Sequence, residues 1–402
     1  MTAGTALLPP GQELKPGRRW WRRLRYIPFI ALVLLSVTAL LVGVVTKADI
    51  ERRVNQPASV VSSTTDDDPA ARACRPAMPA YDKTPWWEDE DARESVWSQH
   101  TSDVAQPYLI GPNGWVFWSD QVDQYASQAV GRTHLTEPEV TRWIDHFKAV
   151  RDGLARDGVE FYVIVTPSTS SVYPEELPEW MQQTRGATSL DQLMAAADDL
   201  PLIDVRSDLI AQKTPATHLF SWDNSHWTDF GAYSSWGRIA DCVNTFYPDG
   251  QPLRTPAVSG SKVIGDFNEW ASYGVPSPGA DWSAPVYDEP LQDVTRTGAD
   301  GKTELVPGDA TTDAGTLPIE TTVGAPWTGK SALIFRDSMG GGLSPLWQQS
   351  YSPTWQMWHR YRAGFEDPES YRQYVEQYHP DVVIVQLAER HLINTPAPGA
   401  GY

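Results

Sequence analysis

Cysteine is nearly absent: Cys74 and Cys242 are the only two in 402 residues. Neither a Cys-x-x-Cys nor a His-x-x-x-His spacing occurs and the eight histidines are scattered, so the usual zinc-ligand patterns are missing and no metal or other cofactor is expected. Positive charge is scarce as well, with 32 Lys and Arg against 51 Asp and Glu, a net charge of −19. An acidic surface of that size argues against nucleic acid and other anionic polymers as partners. No internal repeat is visible. At 41% hydrophobic and 21% charged residues the chain is not of the disordered class, and its length allows one sizeable globular unit with attachments.

Long apolar runs are missing with one exception. Ile27 to Val45 is an uncharged stretch of the length a bilayer-spanning helix needs. Lys15, Arg18, Arg19, Arg22, Arg23 and Arg25 precede it against Glu13 alone, a net +5 that leaves about −24 on the rest. This flank, with Trp20, Trp21 and Tyr26 as interfacial aromatics, predicts a cytoplasmic tail (1–26), a transmembrane anchor (27–45) and everything beyond on the outer side. A cleaved signal peptide is the competing reading, but Val44 to Lys47 offers no small-x-small cleavage site. Both cysteines then lie where a disulfide can persist, and both a Cys74–Cys242 pair and two separate buried thiols remain compatible with the sequence.

Residues 46–80 are rich in Ala, Ser, Thr, Asp and Pro without periodicity and read as a stalk, with the folded domain over 81–396. Thr136 can cap a helix in which Val140, Trp143, Ile144, Phe147 and Leu154 recur at spacings of three and four, closed by Gly158. A strand over 161–165 follows, and the alternation continues: helix 189–199, strand 202–205, helix 228–246, strand 332–335, helices 342–350 and 367–378, strand 382–386. Strands apolar on both faces, separated by helices, predict an α/β fold with a mostly parallel sheet covered by helices. Residues 247–330, dense in Gly, Pro, Asp and Thr, read as an irregular or β-rich excursion from that sheet.

Two segments carry candidate chemistry. Ser331 to Gly342 runs from a buried strand through a tight turn into a helix, and places Ser338 where an open parallel sheet binds ligands and where backbone N–H groups can hold an oxyanion. On its own the segment equally fits a helix capped by Asp337 or Ser338. Ser221 to Ala232 places His226 just before a cap at Thr228, with Asp223 and Asn224 close behind it as candidates to orient the imidazole. The plainer reading packs this histidine between Trp222 and Trp227. A hydroxyl-rich third segment, Thr166 to Pro178, leaves a strand end on the same rim.

Together these segments resemble the alginate O-acetyltransferase (AlgX/AlgJ-like) branch of the SGNH hydrolase superfamily. The resemblance is carried by Gly111-Pro-Asn-Gly-Trp-Val-Phe117, by Thr166-Pro167 with Tyr173-Pro-Glu175 and Leu177-Pro178, by Ser225-His226-Trp-Thr with Gly231-Ala232, by Arg336-Asp-Ser-Met-Gly340, and by Pro380-Asp-Val-Val-Ile with Glu389-Arg390. It spans about 105–392 and has His before Ser, the order of that branch. It implies an SGNH-like (flavodoxin-like) sheet, Ser338 as nucleophile and His226 as base. It also implies an oxyanion site at the N–H groups of Ser338 and the glycine run, Gly340 and Gly341 among them, and acetyl supplied by a membrane-bound O-acyltransferase. Two departures stand out: Asn224 occupies the position of the branch's usual Asp, with Asp223 one residue further back, and Thr169 replaces its Lys. Asp223 is the favoured orienting residue, because a carboxylate also stabilises the imidazolium.

The expected function is transfer of acetyl groups through an acetyl-serine onto hydroxyls of a cell-envelope or secreted polysaccharide. The 18 tryptophans suit sugar faces, and Trp227, Trp347, Trp355, Trp358 and Arg336 are the candidate substrate contacts. A carbohydrate esterase is the enzymatic alternative, since water discharges the same acyl-enzyme, and an inactive glycan-binding scaffold is the non-enzymatic one.

Overall fold

The computed structural model describes residues 20, 24, 26–60, 69–75, 84–214, 217–361, 371–397 and 402. The chain divides into two compact units, Met1–Gln56 and Pro57–Tyr402. In the first, a helix runs over Ile27–Val54 and contains the single described stretch apolar and long enough to cross a membrane, Ile27–Val44. The expected tail, much of the stalk, the domain start at Tyr81 and the beginning of the helix expected from Asp367 lie outside the described residues.

In the second unit the strands are β1 (Tyr108–Ile110), β2 (Val116–Trp118), β3 (Glu160–Thr166), β4 (Leu202–Asp204), β5 (Val258–Gly265), β6 (Trp282–Tyr287), β7 (Val294–Gly298), β8 (Thr303–Val306), β9 (Ile319–Thr322), β10 (Ala332–Arg336), β11 (Thr354–Trp358) and β12 (Val382–Ala388). Eight of them form one sheet in the order β4-β3-β12-β10-β11-β9-β7-β8. The first five are mutually parallel and the last three run antiparallel. The result is one mixed sheet flanked by helices.

The parallel strands bury both faces, and their residues alternate between two cores as the pleat requires. Phe161, Val163 and Val165 of β3 pack with Leu333, Phe335, Val383 and Val385 against Val140, Trp143 and Phe147 of the helix Glu137–Arg156. Tyr162 and Ile164 join Ile334 and Ile384 on the opposite face, under Ala232, Trp236 and Ile239 of the helix Asp229–Phe246. The first of these helices starts with a reciprocal capping box between Thr136 and Glu139.

Three local expectations change. Residues 247–330 are not wholly an excursion: β7, β8 and β9 extend the central sheet, because β9 pairs with the edge of β11, while β5 and β6 form a separate hairpin. The helix expected over 189–199 ends at Ala196. Parts of the expected stalk fold onto the domain. The Ala58 N–H donates to the Leu135 carbonyl at 3.0 Å, and Cys74 is disulfide-bonded to Cys242 across 168 residues.

Closing a loop of that length restricts the unfolded chain strongly, so Cys74→Ser/Cys242→Ser is expected to lose about 2–5 kcal/mol. The shift of the urea midpoint relative to the intact protein measures it.

Candidate active site

Ser338 is placed by the end of β10. Asp337 follows the strand in extended backbone, its carboxylate accepts the Met339 N–H at 2.9 Å, and the chain turns through a short 3₁₀ segment, Ser338–Gly341. The true helix begins only at Ser344, so Ser338 sits on a tight turn rather than at the helix N-terminus the sequence suggested. Gly340 is required there, because an added Cβ would lie 2.6 Å from both Arg336 Cδ and Gln386 Oε1.

Asp337 lies under this turn as a saturated anion. Its oxygens also accept from Gln386 Nε2 (3.0 Å), the Ala388 N–H (2.6 Å), His359 Nε2 (3.0 Å) and His391 Nδ1 (3.1 Å). Despite burial, the donated hydrogen bonds and the two imidazoles hold its pKa well below the usual carboxylate value. Asp337, His359 and His391 lie within reach of one ion. However, the Tyr361 N–H donates to His359 Nδ1 at 3.2 Å, which leaves the proton of a neutral ring on Nε2, facing Asp337. We therefore read the cluster as a hydrogen-bond network that fixes the turn carrying Ser338. Sequence reasoning missed it, since the three residues meet only through the sheet.

His226 Nε2 lies 2.8 Å from Ser338 Oγ. Behind the ring, Nδ1 lies 2.8 Å from Asn224 Oδ1, which also accepts the His226 backbone N–H at 3.0 Å. The Asn224 amide faces this way because its Nδ2 donates to the Phe267 carbonyl at 2.7 Å. With a carbonyl oxygen as its partner, Nδ1 carries the proton and Nε2 is free to take one from Ser338. Asn224 thus occupies the orienting position favoured for Asp223. The Asp223 carboxylate points away, accepting Ser221 Oγ at 3.1 Å, and burial raises its pKa. The local signal was present: an Asn two residues before a backbone N–H folds readily into an Asx turn.

The loop that holds Asn224 grips its neighbours too. The Glu269 N–H donates to the Asp223 carbonyl (2.9 Å) and the Ser225 N–H donates to Glu269 Oε2 (2.8 Å). On the other side, the Val116 N–H donates to the Trp222 carbonyl at 2.7 Å, Trp115 stacks on Tyr173 at 4.5 Å, and Thr169 Oγ1 donates to the Ser225 carbonyl at 3.5 Å. Four of the singled-out segments thus converge on one place. Gly111 belongs to the same junction, since any Cβ there would collide with the Glu176 carbonyl.

A cleft of about 440 Å³ opens over Ser338, lined by Asn224, His226, Trp227 and Gly341, by Thr312 and Asp313, and by Ile264, Phe267 and Trp282. Of the expected oxyanion donors, the Gly340 N–H is committed to the Asp337 carbonyl at 3.2 Å. Gly341 lines the cleft, and the Ser338 N–H donates to no acceptor among the described residues.

The expected substrate contacts are largely displaced. Arg336 is fully buried and spends its guanidinium on Gln356, Asp337 and Thr312, and burial lowers its pKa to about 10. Trp347 is fully buried in the core, Trp355 packs on Tyr378 at 5.0 Å, and Trp358, closing β11, does not line the cleft. Trp227 does reach it, held by its Nε1–H to the Met339 carbonyl at 2.8 Å. The aromatic wall comes instead from Phe267 and Trp282, ring centroids 5.1 Å apart, in the stretch the sequence marked as irregular.

Residues 109–306 match the family model described as SGNH hydrolase-like domain, acetyltransferase AlgX. The chain carries an AlgX-type SGNH hydrolase-like domain. The matched span includes Asn224 and His226 and ends before Ser338. Among solved structures, Bacillus cereus PatB1 with a sulfonyl adduct is similar at 14% identity and a TM-score of 0.53, covering 73% of this chain and all of that one. The O-acetyltransferase domain of Pseudomonas putida AlgJ aligns at 16% identity and a TM-score of 0.41, covering 73% and 94%. No curated protein matches. At 14% identity the likeness to PatB1 speaks to the fold alone, and the AlgX-type domain's chemistry rests on its own residues.

Burial, followed by the charge of Arg390, lowers the His226 pKa below 6.5, against the opposing pull of Glu269, Asp337 and Asp313. A general base works in its neutral form, so activity should persist through pH 6.5 and fall only as pH drops through the lowered value. Arg390→Gln removes the cationic contribution and is expected to move the acid limb of kcat/KM toward higher pH. A pH–rate profile with an activated acetyl ester reads both.

Proposed function

We propose that this domain transfers acetyl groups through an acetyl-Ser338 intermediate onto hydroxyls of an envelope or secreted polysaccharide. Ser338 Oγ attacks the acetyl carbonyl as its proton passes to His226 Nε2, and that proton leaves with the departing group of the donor. In the second half, the acceptor hydroxyl gives its proton to His226 and attacks the acyl carbon, and Ser338 leaves as an alkoxide that takes the proton back. The oxyanion formed in each half is met by the Ser338 N–H.

The observation that supports this reading most is the chain of contacts Asn224 Oδ1, His226, Ser338 Oγ, each 2.8 Å, at the floor of an open cleft. The apolar helix with its cationic flank suits an anchor that holds the domain on the outer face of the membrane. There a membrane-bound O-acyltransferase would supply acetyl. Incubating the purified protein with an activated acetyl ester and mapping peptides by mass spectrometry should place acetyl on Ser338. Acetyl found elsewhere, with Ser338 unmodified after rapid quenching, would overturn the proposal.

A further inference from the structure

We propose that the acceptor is an uncharged sugar, not a polyuronate, seated with its apolar face on Phe267 and Trp282. The inference rests on the acetyl-transfer reading above and names the acceptor class of the same cleft.

Among the described residues, the cleft lining contains two carboxylates, Asp229 and Asp313, and no Lys or Arg. Asp309 lies within electrostatic reach of Asp229, and Asp266 and Glu269 are on the loop that closes the same side. Two arginines near the site are held by other groups: Arg336 is spent on internal oxygens, and Arg390, whose charge reaches His226, lies 3.8 Å from Asp123. A chain bearing one carboxylate per residue would bring its charges into this field unpaired, a cost that rises as water is excluded. Outside the anchor region the protein carries about −24, so long-range attraction does not help either.

The apolar surface in the cleft has the shape a pyranose needs. Phe267 is 51% exposed and Ile264 47% exposed, an unusual display for side chains beside a catalytic serine. Trp282 stands edge-on to Phe267 at 71°, and its indole lies near enough to the Asp229 carboxylate to oppose the rise in that group's pKa. A half-buried indole offers a flat apolar face for a sugar ring. Asp229 and Asp313 provide acceptors for sugar hydroxyls around that face. Burial, with Asp309 adding to it, already pushes the Asp229 pKa to about 6, so a second anion nearby would meet a carboxylate that is itself poorly solvated.

The test uses full-length Ser338→Ala protein in detergent and compares equilibrium binding of cello-oligosaccharides and N-acetylhexosamine oligomers with oligomannuronates of equal length. Measurements at low ionic strength make charge effects largest. At least one uncharged series should bind and change Trp fluorescence, with oligomannuronate at least about tenfold weaker, and Asp229→Asn/Asp313→Asn should narrow that gap. Trp282→Ala should weaken the uncharged ligand about tenfold, and Trp282→Phe should recover part of the loss. Equal or tighter binding of oligomannuronate, no binding of any uncharged series, or binding indifferent to Trp282→Ala would each overturn the inference. The acetyl-Ser338 measurement on the native protein is scored separately. It decides the acetyl-transfer reading, while binding to Ser338→Ala decides the acceptor class.

Discussion

Ser338→Ala is expected to abolish acetyl transfer, with a loss on the order of 10⁴–10⁶ in turnover, while the circular dichroism spectrum and urea midpoint stay near those of the parent. Ser338 Oγ contacts His226 and the cleft, whereas Asp337, His359 and His391 hold the turn independently of the hydroxyl. His226→Ala should cost a similar factor, and the double variant little more, because the two act as one unit. Additive losses would indicate that they serve separate steps. A comparable residual rate in the parent and Ser338→Ala would remove the nucleophile assignment altogether.

Asn224→Ala carries the second large effect. Without the amide oxygen the Nδ1–H loses its partner and the tautomer with a free Nε2 is no longer enforced, a change expected to cost about 10²–10⁴ in kcat. Asn224→Asp tests the same contact in the opposite direction. A carboxylate at 2.8 Å from Nδ1 favours the imidazolium, so the His226 pKa rises and the acid limb of the pH–rate profile moves to higher pH. If the neutral contact is limiting, the rate on the alkaline plateau rises as well. Asp223→Asn, in contrast, should leave the acid limb in place, because that carboxylate faces Ser221 and not the ring. A shift of the limb in Asp223→Asn but not in Asn224→Asp would return the orienting role to Asp223.

The sequence made some of this legible and hid the rest for physical reasons. The helix after Thr136 could be read because its cap and its apolar stripe are local. The strands around Val163, Ile334 and Ile384 could be read because a strand buried on both faces needs an unbroken apolar run. His226 and Ser338 stood out because each sits at an element end.

The choice between Asp223 and Asn224 depends on which side chain the turn aims at the ring. The grip of Phe267 and Glu269 from more than 40 residues away contributes to that aim. β11 was missed because Gln356 interrupts its apolar pattern. That polar side chain is buried to receive the Arg336 guanidinium, a long-range pairing no window reveals. The same burial removed Arg336 and Trp347 from the list of substrate contacts. The aromatic wall was missed because Phe267 and Trp282 are separated by a loop and lie in a Gly- and Pro-rich stretch without helical period.

The loop between β5 and β6 has two roles that cannot be exchanged independently. Its Phe267 ring faces the cleft while the carbonyl of the same residue fixes the Asn224 amide, and Glu269 ties down the residues on either side. In this chain, a change in the loop that reshapes the cleft would therefore also reset the histidine. A hairpin transplanted to acquire a new substrate would bring its own setting of the histidine with it, so such chimaeras should fail kinetically even where they bind.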